Sequence, residues 1–238
     1  MTAAAALAAG PNPALVAVGA AATLIELRGA SAGYAGRPVL RDLDLALRAD
    51  EHVAVLGRSG AGKSTLLNLL HAQLAGTAAL IPQAAALVGT LSVFHNVYMG
   101  RLDRHSALRN LRMLAFPARA EVADVREVLA GLGMAELIFR RAGALSGGQQ
   151  QRVSVARALY AGRAVVIGDE PVSALDRLQG AEVLARLAAR HRTMVLAMHD
   201  IGLALAHAQR ILVLDQGRIV LDAPAADLSV ADLLPFYG

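Results

Sequence analysis

Hydrophobic residues dominate short runs at 52–56, 164–167, 193–198 and 211–214, each bounded by turn-forming residues. The runs are rich in Val, Ile and Leu and do not alternate with polar positions, the pattern of strands buried on both faces. Between them lie stretches with helical spacing, at 63–73, 147–161 and 179–190. Strands alternating with helices predict an α/β fold around a mostly parallel sheet. Two earlier runs, at 24–27 and 39–47, predict an antiparallel edge ahead of the first helix. Asp215-Gln216-Gly217-Arg218 predicts a hairpin turn near the far end. From 84 to 141 the pattern is mostly helical, with breaks at Pro117, Gly131 and Gly133, which predicts a second, helical subdomain.

Composition changes this picture little. Apolar residues make up 55% of the 238 positions, but much of that is alanine. Residues 1–25 carry no side-chain charge and so contain no basic n-region, and Gly10, Pro11 and Pro13 interrupt them. That argues against a membrane span or a secretory signal and predicts a loose tail over 1–22, followed by one folded unit over 23–238. The net charge is +4, aromatics are 3%, and the arginines are scattered, so no nucleic-acid partner is expected. The absence of cysteine excludes disulfides and thiolate metal sites. His52, His71, His95, His105, His191 and His207 show no metal-ligand spacing and are read as surface or packing residues.

Chemistry concentrates in three places. Lys63 is the chain's only lysine, and it lies in Gly57-Arg58-Ser59-Gly60-Ala61-Gly62-Lys63-Ser64. This fits G-x-x-x-x-G-K-[ST] between a buried run and a helix, the context a phosphate-binding loop requires. Backbone N–H groups of the loop cradle phosphate at a helix N-terminus, the lysine reaches β- and γ-phosphates as a point charge, and the Ser64 hydroxyl is placed for Mg²⁺. Second, the run at 164–167 ends in Gly168-Asp169-Glu170. Two carboxylates at the carboxyl edge of a parallel sheet suit a metal role for Asp169 and the orienting or deprotonation of water for Glu170. Third, Leu145-Ser146-Gly147-Gly148-Gln149-Gln150-Gln151-Arg152 opens a helix with a good N-cap and two glycines that permit close approach to an anion.

That third string resembles the signature of the ATP-binding-cassette (ABC) ATPases, and the resemblance extends over roughly 24–238, nearly the whole chain. It implies a P-loop NTPase core, an N-terminal antiparallel β-subdomain and a helical subdomain. It also implies that ATP with Mg²⁺ is held between the phosphate loop of one subunit and Ser146, Gly147, Gly148 and Gln149 of another, in a head-to-tail homodimer. In the family's order, Tyr34 corresponds to the aromatic stacked on adenine and Gln83 to the glutamine that touches Mg²⁺ or water and links to the transmembrane partner. Thr65 follows Ser64 in the phosphate loop. Ser173-Ala174-Leu175-Asp176 corresponds to the loop that crosses the dimer interface, and His199 to the histidine that contacts the γ-phosphate. The resemblance therefore assigns Glu170, His199 and Gln83 to catalysis, and Ser64, Gln83 and Asp169 to the metal.

Two departures stand out. Lys63 and Gln83 are 20 positions apart, about half the family's usual spacing, so the hairpin after the first helix is expected to be missing and the β-subdomain shortened. Gly168 replaces a larger apolar residue. Leu91–Leu102, Arg141–Ala144, the Asp169–Ser173 segment and Phe236-Tyr237-Gly238 are similar to importers of phosphonate. The resemblance thus implies a peripheral ATPase on the cytoplasmic face of the inner (plasma) membrane, with transmembrane permease subunits and an extracytoplasmic solute-binding protein as partners. Two other readings stay open. One is a non-transport ABC ATPase acting on nucleic acid or the ribosome, against which the 83 positions from Lys63 to Ser146 hold no coiled-coil heptads. The other is a nucleotide-binding regulator without turnover.

Overall fold

The computed structural model describes residues 22–34 and 36–237; all but one residue of the expected 1–22 tail lies outside them. In chain order the elements are β1 (Thr23–Tyr34), β2 (Arg37–Arg48), β3 (His52–Leu56), α1 (Lys63–Gln73), β4 (Ala78–Ile81), α2 (Val93–Tyr98), α3 (Ala107–Ala115), α4 (Arg119–Ala130), α5 (Gly147–Ala161), β5 (Val165–Asp169), α6 (Arg177–Arg190), β6 (Thr193–Ala197), α7 (Ile201–His207), β7 (Arg210–Asp215), β8 (Arg218–Pro224) and α8 (Val230–Leu233).

Six strands form one sheet in the order β4-β5-β6-β3-β7-β8. All neighbours are parallel except β7 and β8, which pair antiparallel across the turn at Gln216-Gly217. Both turn residues have positive φ, 45° and 79°, as a two-residue hairpin requires. Each face of the sheet carries its own core. One packs α2 and α4 to α7 around Phe94, Leu129, Tyr160, Leu184 and Leu196. The other packs α1 and the β1–β2 pair around Leu40, Leu47, Leu66, Leu70 and Leu212. Burial on both faces explains why β3, β5 and β6 read as continuous apolar runs.

Two details add to the sequence reading. β1 and β2 form the expected N-terminal antiparallel pair as a two-stranded sheet of their own, and the main sheet has an antiparallel edge strand as well, β8. Between α1 and Gln83, Ala78–Ile81 forms a strand, β4, that the sequence pattern did not predict, and it pairs with β5. The turn between α1 and β4 occupies only residues 74–77, so no hairpin follows α1. The helical stretch comprises α2, α3 and α4, tied back to the segment before α5 by a bridge between Ser92 and Arg141. His191, at 1% exposure, is a packing residue whose Nδ1 hydrogen-bonds the Arg163 carbonyl at 2.7 Å.

Candidate active site

The central strand β3 delivers the chain into the phosphate loop. Gly62 is the residue before α1, with φ 106°, and a Cβ there would stand 2.9 Å from Leu40 Cδ2. Only glycine combines that backbone with that contact. α1 has no side-chain cap and no acidic residue in its first turn, so its N-terminal amides face the loop with nothing negative of their own. The Lys63 side chain is buried and its ammonium donates to the carbonyls of Gly57 at 2.7 Å and Arg58 at 3.1 Å. Burial pushes its pKa down, while the charges of Glu170 and Asp169 pull it back up. The hairpin turn braces the loop from the side. Gly217 N–H donates to the Ala61 carbonyl at 3.0 Å, and its own carbonyl accepts from Arg41 N–H at 2.9 Å.

A cleft of about 250 Å³ opens beside the loop, lined by Val39, Ser59, Gly60, Gly62, Lys63, Ser64, Thr65, Gln83 and Glu170. Chain segments far apart in sequence thus meet at the carboxyl edge of the sheet, where strand order in an open α/β sheet places ligands. Asp169 is the buried last residue of β5. Glu170 follows it with φ 53°, an uncommon backbone for a residue with a Cβ. Backbone held in this region marks a place where the surrounding structure dictates conformation, and such places gather at functional sites. His199, beyond the end of β6, hydrogen-bonds Glu170 Oε1 through Nε2. The ionised carboxylate accepts, so Nε2 carries the proton. A second cleft of about 330 Å³ lies on the His199 side of Glu170.

The remaining predicted residues stand apart from this cleft. Tyr34 ends β1, half exposed, with its hydroxyl accepting from Asn68 Nδ2 at 3.5 Å; it does not line the cleft. Ser146 and Gln149 form a reciprocal capping box at the start of α5, with bonds of 3.4 and 3.0 Å. Together with Gly147 and Gly148 they stay outside the cleft that holds Lys63 of the same chain. Asp176 caps α6, accepting from Gln179 N–H at 2.9 Å.

Three contributors escaped the sequence reading. Val39 enters the cleft from β2. Tyr237 places its hydroxyl between Gly57 N–H at 3.4 Å and the Met198 carbonyl at 3.5 Å, linking the ends of β3 and β6. Gln151 donates to the Glu170 carbonyl at 2.8 Å. Gln151 lies inside the signature string and Tyr237 inside the Phe236-Tyr237-Gly238 segment, but neither string indicated a contact with the site; Val39 carried no signal beyond its apolar run. Gly168 finds a packing reason: a Cβ there would come 2.8 Å from Leu196 Cδ2 on β6.

Among the described residues no group of three His, Asp or Glu side chains is arranged to hold a metal alone. Ser64, Gln83 and Asp169 offer a hydroxyl, an amide and one carboxylate, a set suited to a hydrated magnesium ion that arrives with phosphates. No described helix is long and apolar enough to cross a membrane.

The ABC transporter family model matches residues 40–173. A phosphonates import ATP-binding protein of Anaeromyxobacter dehalogenans is 39% identical over 90% of this chain, which spans 48% of that relative's length. A phosphonates import ATP-binding protein of Trichormus variabilis is 34% identical over 86% of this chain and 95% of its own. Among solved structures, a dimeric bacterial ABC transporter cassette aligns with a TM-score of 0.74, at 22% identity over 84% of this chain and 98% of that one. A phosphate loop on the central strand, paired carboxylates at the end of β5 and a family match across both identify this chain as a member of the ABC transporter family, with the family's ATPase fold.

Proposed function

We propose that this chain is the ATP-hydrolysing subunit of an importer for phosphonate or a related phosphorus oxyanion, and that it works as a head-to-tail dimer. The observation that carries the hydrolytic part is the convergence of Lys63, Ser64, Gln83 and Glu170 on one cleft, with Glu170 hydrogen-bonded to His199. The names of the two relatives support the substrate.

In this reading the amides of residues 59–63 and the Lys63 ammonium hold the β- and γ-phosphates. Tyr34 stacks on adenine. Ser64, Asp169 and Gln83 would hold Mg²⁺, which would supply charge neutralisation at the phosphates. Glu170 orients or deprotonates the attacking water, and His199, its proton on Nε2, faces both the carboxylate and the γ-phosphate. Little covalent chemistry falls to the protein; positioning and charge stabilisation set the rate. The capped N-terminus of α5 stands outside the Lys63 cleft of its own chain, which supports its use by a second copy. Asp176 and its loop would lie along that seam. Gln83 and the neighbouring 94–101 segment would face permease subunits on the cytoplasmic side of the membrane, with a solute-binding protein completing the complex.

The test is to reconstitute the chain with the permease and binding protein with which it co-purifies, and to measure ATP hydrolysis with methylphosphonate, phosphate or a macrolide present. Stimulation by the phosphorus oxyanions supports the reading. Stimulation only by the macrolide, or co-purification only with ribosomal or nucleic-acid partners, overturns it.

A further inference from the structure

Glu170 is held in its left-handed backbone by four hydrogen bonds. Its N–H donates to the Ala197 carbonyl on β6 at 3.0 Å. Its carbonyl accepts from Ser173 N–H at 3.3 Å, from Ser173 Oγ at 3.2 Å and from Gln151 Nε2 at 2.8 Å. The Gln151 bond is the shortest of the four and comes from a side chain at 5% exposure in α5. A carbonyl only accepts, so the amide's orientation is settled by its partner. The peptide groups on both sides of Glu170 are therefore tied down, one to β6 and the other to Ser173 in its own turn and, through the shortest bond, to α5. Loss of the Gln151 bond would let φ relax toward the extended region, which residues with a Cβ favour, and would swing the carboxylate out of the cleft.

We propose that Gln151 is a positioning residue for hydrolysis. It holds the Glu170 backbone so that the carboxylate faces the phosphate cleft, and it couples that placement to α5, the helix whose N-terminus carries Ser146 to Gln149. The proposal rests on the reading of Glu170 as the group that acts on water. It extends that reading, because the helix assigned to the partner's nucleotide also steers the carboxylate assigned to its own. Gln151 itself does not line the phosphate cleft.

The experiment is a double-mutant cycle on the full chain with Gln151→Leu and Glu170→Gln, reading kcat, KM, ATP affinity and thermal midpoint. Gln151→Leu is expected to lower kcat by ~10- to 100-fold with KM and ATP affinity within about threefold of wild type. In the Glu170→Gln background it is expected to cause no additional loss, because its effect runs through the carboxylate. Gln151→Asn, which keeps an amide but draws it out of reach, serves if the leucine variant does not fold, and the same pattern is expected of it. A wild-type kcat, a loss carried by ATP affinity or thermal midpoint, or an equal additional loss in the Glu170→Gln background overturns the positioning role. If Glu170→Gln alone turns over like wild type, the carboxylate reading falls and the positioning role falls with it. If Glu170→Gln is inactive and Gln151→Leu is not, only the positioning role falls.

Discussion

Two buried polar clusters in this chain are built in opposite ways. Under the helical subdomain, the Glu121 carboxylate is met by the Tyr160 hydroxyl at 2.6 Å, the Arg109 guanidinium at 2.6 Å and His105 Nε2 at 3.9 Å. Arg101 closes the cluster from above, its guanidinium 3.9 Å over the Tyr160 ring. Here each charge is answered by a side chain, and the cluster joins α3, α4 and α5. At the carboxyl edge of the sheet, Lys63 is held by backbone carbonyls of its own loop, while Asp169 and Glu170 act on it only through their charge. Saturated pairing suits a cluster that stabilises; a lysine held by backbone beside two carboxylates, of which only Glu170 has a side-chain partner, His199, suits one that binds and reacts. The titration of the two follows. Burial pushes the Glu121 carboxyl up, but its bonds to Tyr160 and Arg109 and the charges of Arg109 and His105 outweigh that and leave it below its ordinary value. Burial also leads at Lys63, and there it prevails, holding the ammonium below its ordinary value.

Substitutions can break this contrast. The largest effect is expected from Glu170→Gln, which should cut kcat by ~1000-fold while ATP binding persists and the closed dimer accumulates. Phosphate release and size-exclusion chromatography with ATP would check this, and wild-type turnover would remove Glu170 from its role. Lys63→Ala should weaken ATP binding by about 30-fold with little change in thermal midpoint, measured by nucleotide titration and thermal unfolding. Equal affinity would place Lys63 among the stabilising charges instead.

Glu121→Ala should do the reverse, leaving ATP affinity unchanged and lowering stability by about 2 kcal/mol, because Tyr160 and Arg109 lose their partner. Its pH signature has a definite sign. The folded pKa of Glu121 lies below the ordinary 4.5, so its contribution is present above that value and lost as pH falls through the lower folded one. Denaturant titrations across that acid window should show a shallower pH dependence in the alanine variant than in wild type. The smallest effect is expected from Gly168→Ala, about 1 kcal/mol, since the end of the Leu196 side chain must move aside for the new methyl. Any loss of kcat in that variant beyond its stability cost would show that β5 packing sets the placement of Asp169 and Glu170.

The sequence reading reached furthest where the signal is local. The bounds of α1 and α5 at 63–73 and 147–161 were legible because a glycine-rich loop and a serine cap announce each start. The doubly buried strands showed as apolar runs, and the hairpin at Gln216-Gly217 showed in its turn residues. β4 was not legible. Its four residues follow a short turn in an alanine-rich stretch with no periodicity, and what makes them a strand is pairing with β5, more than 80 positions later.

The sequence alone thus determined that this is an α/β nucleotide-binding chain of the ABC type, since the loop, the carboxylate pair and the signature string each require particular residue types at fixed local spacing. Only the tertiary structure decided how these parts engage. The left-handed backbone of Glu170, its bond to His199 29 positions away, the hold of Gln151 19 positions before it and the brace of Gly217 on Ala61 all cross between layers. Such contacts depend on how α5, β5, β6 and the β7–β8 turn pack against one another, and no local sequence pattern encodes a distance between elements.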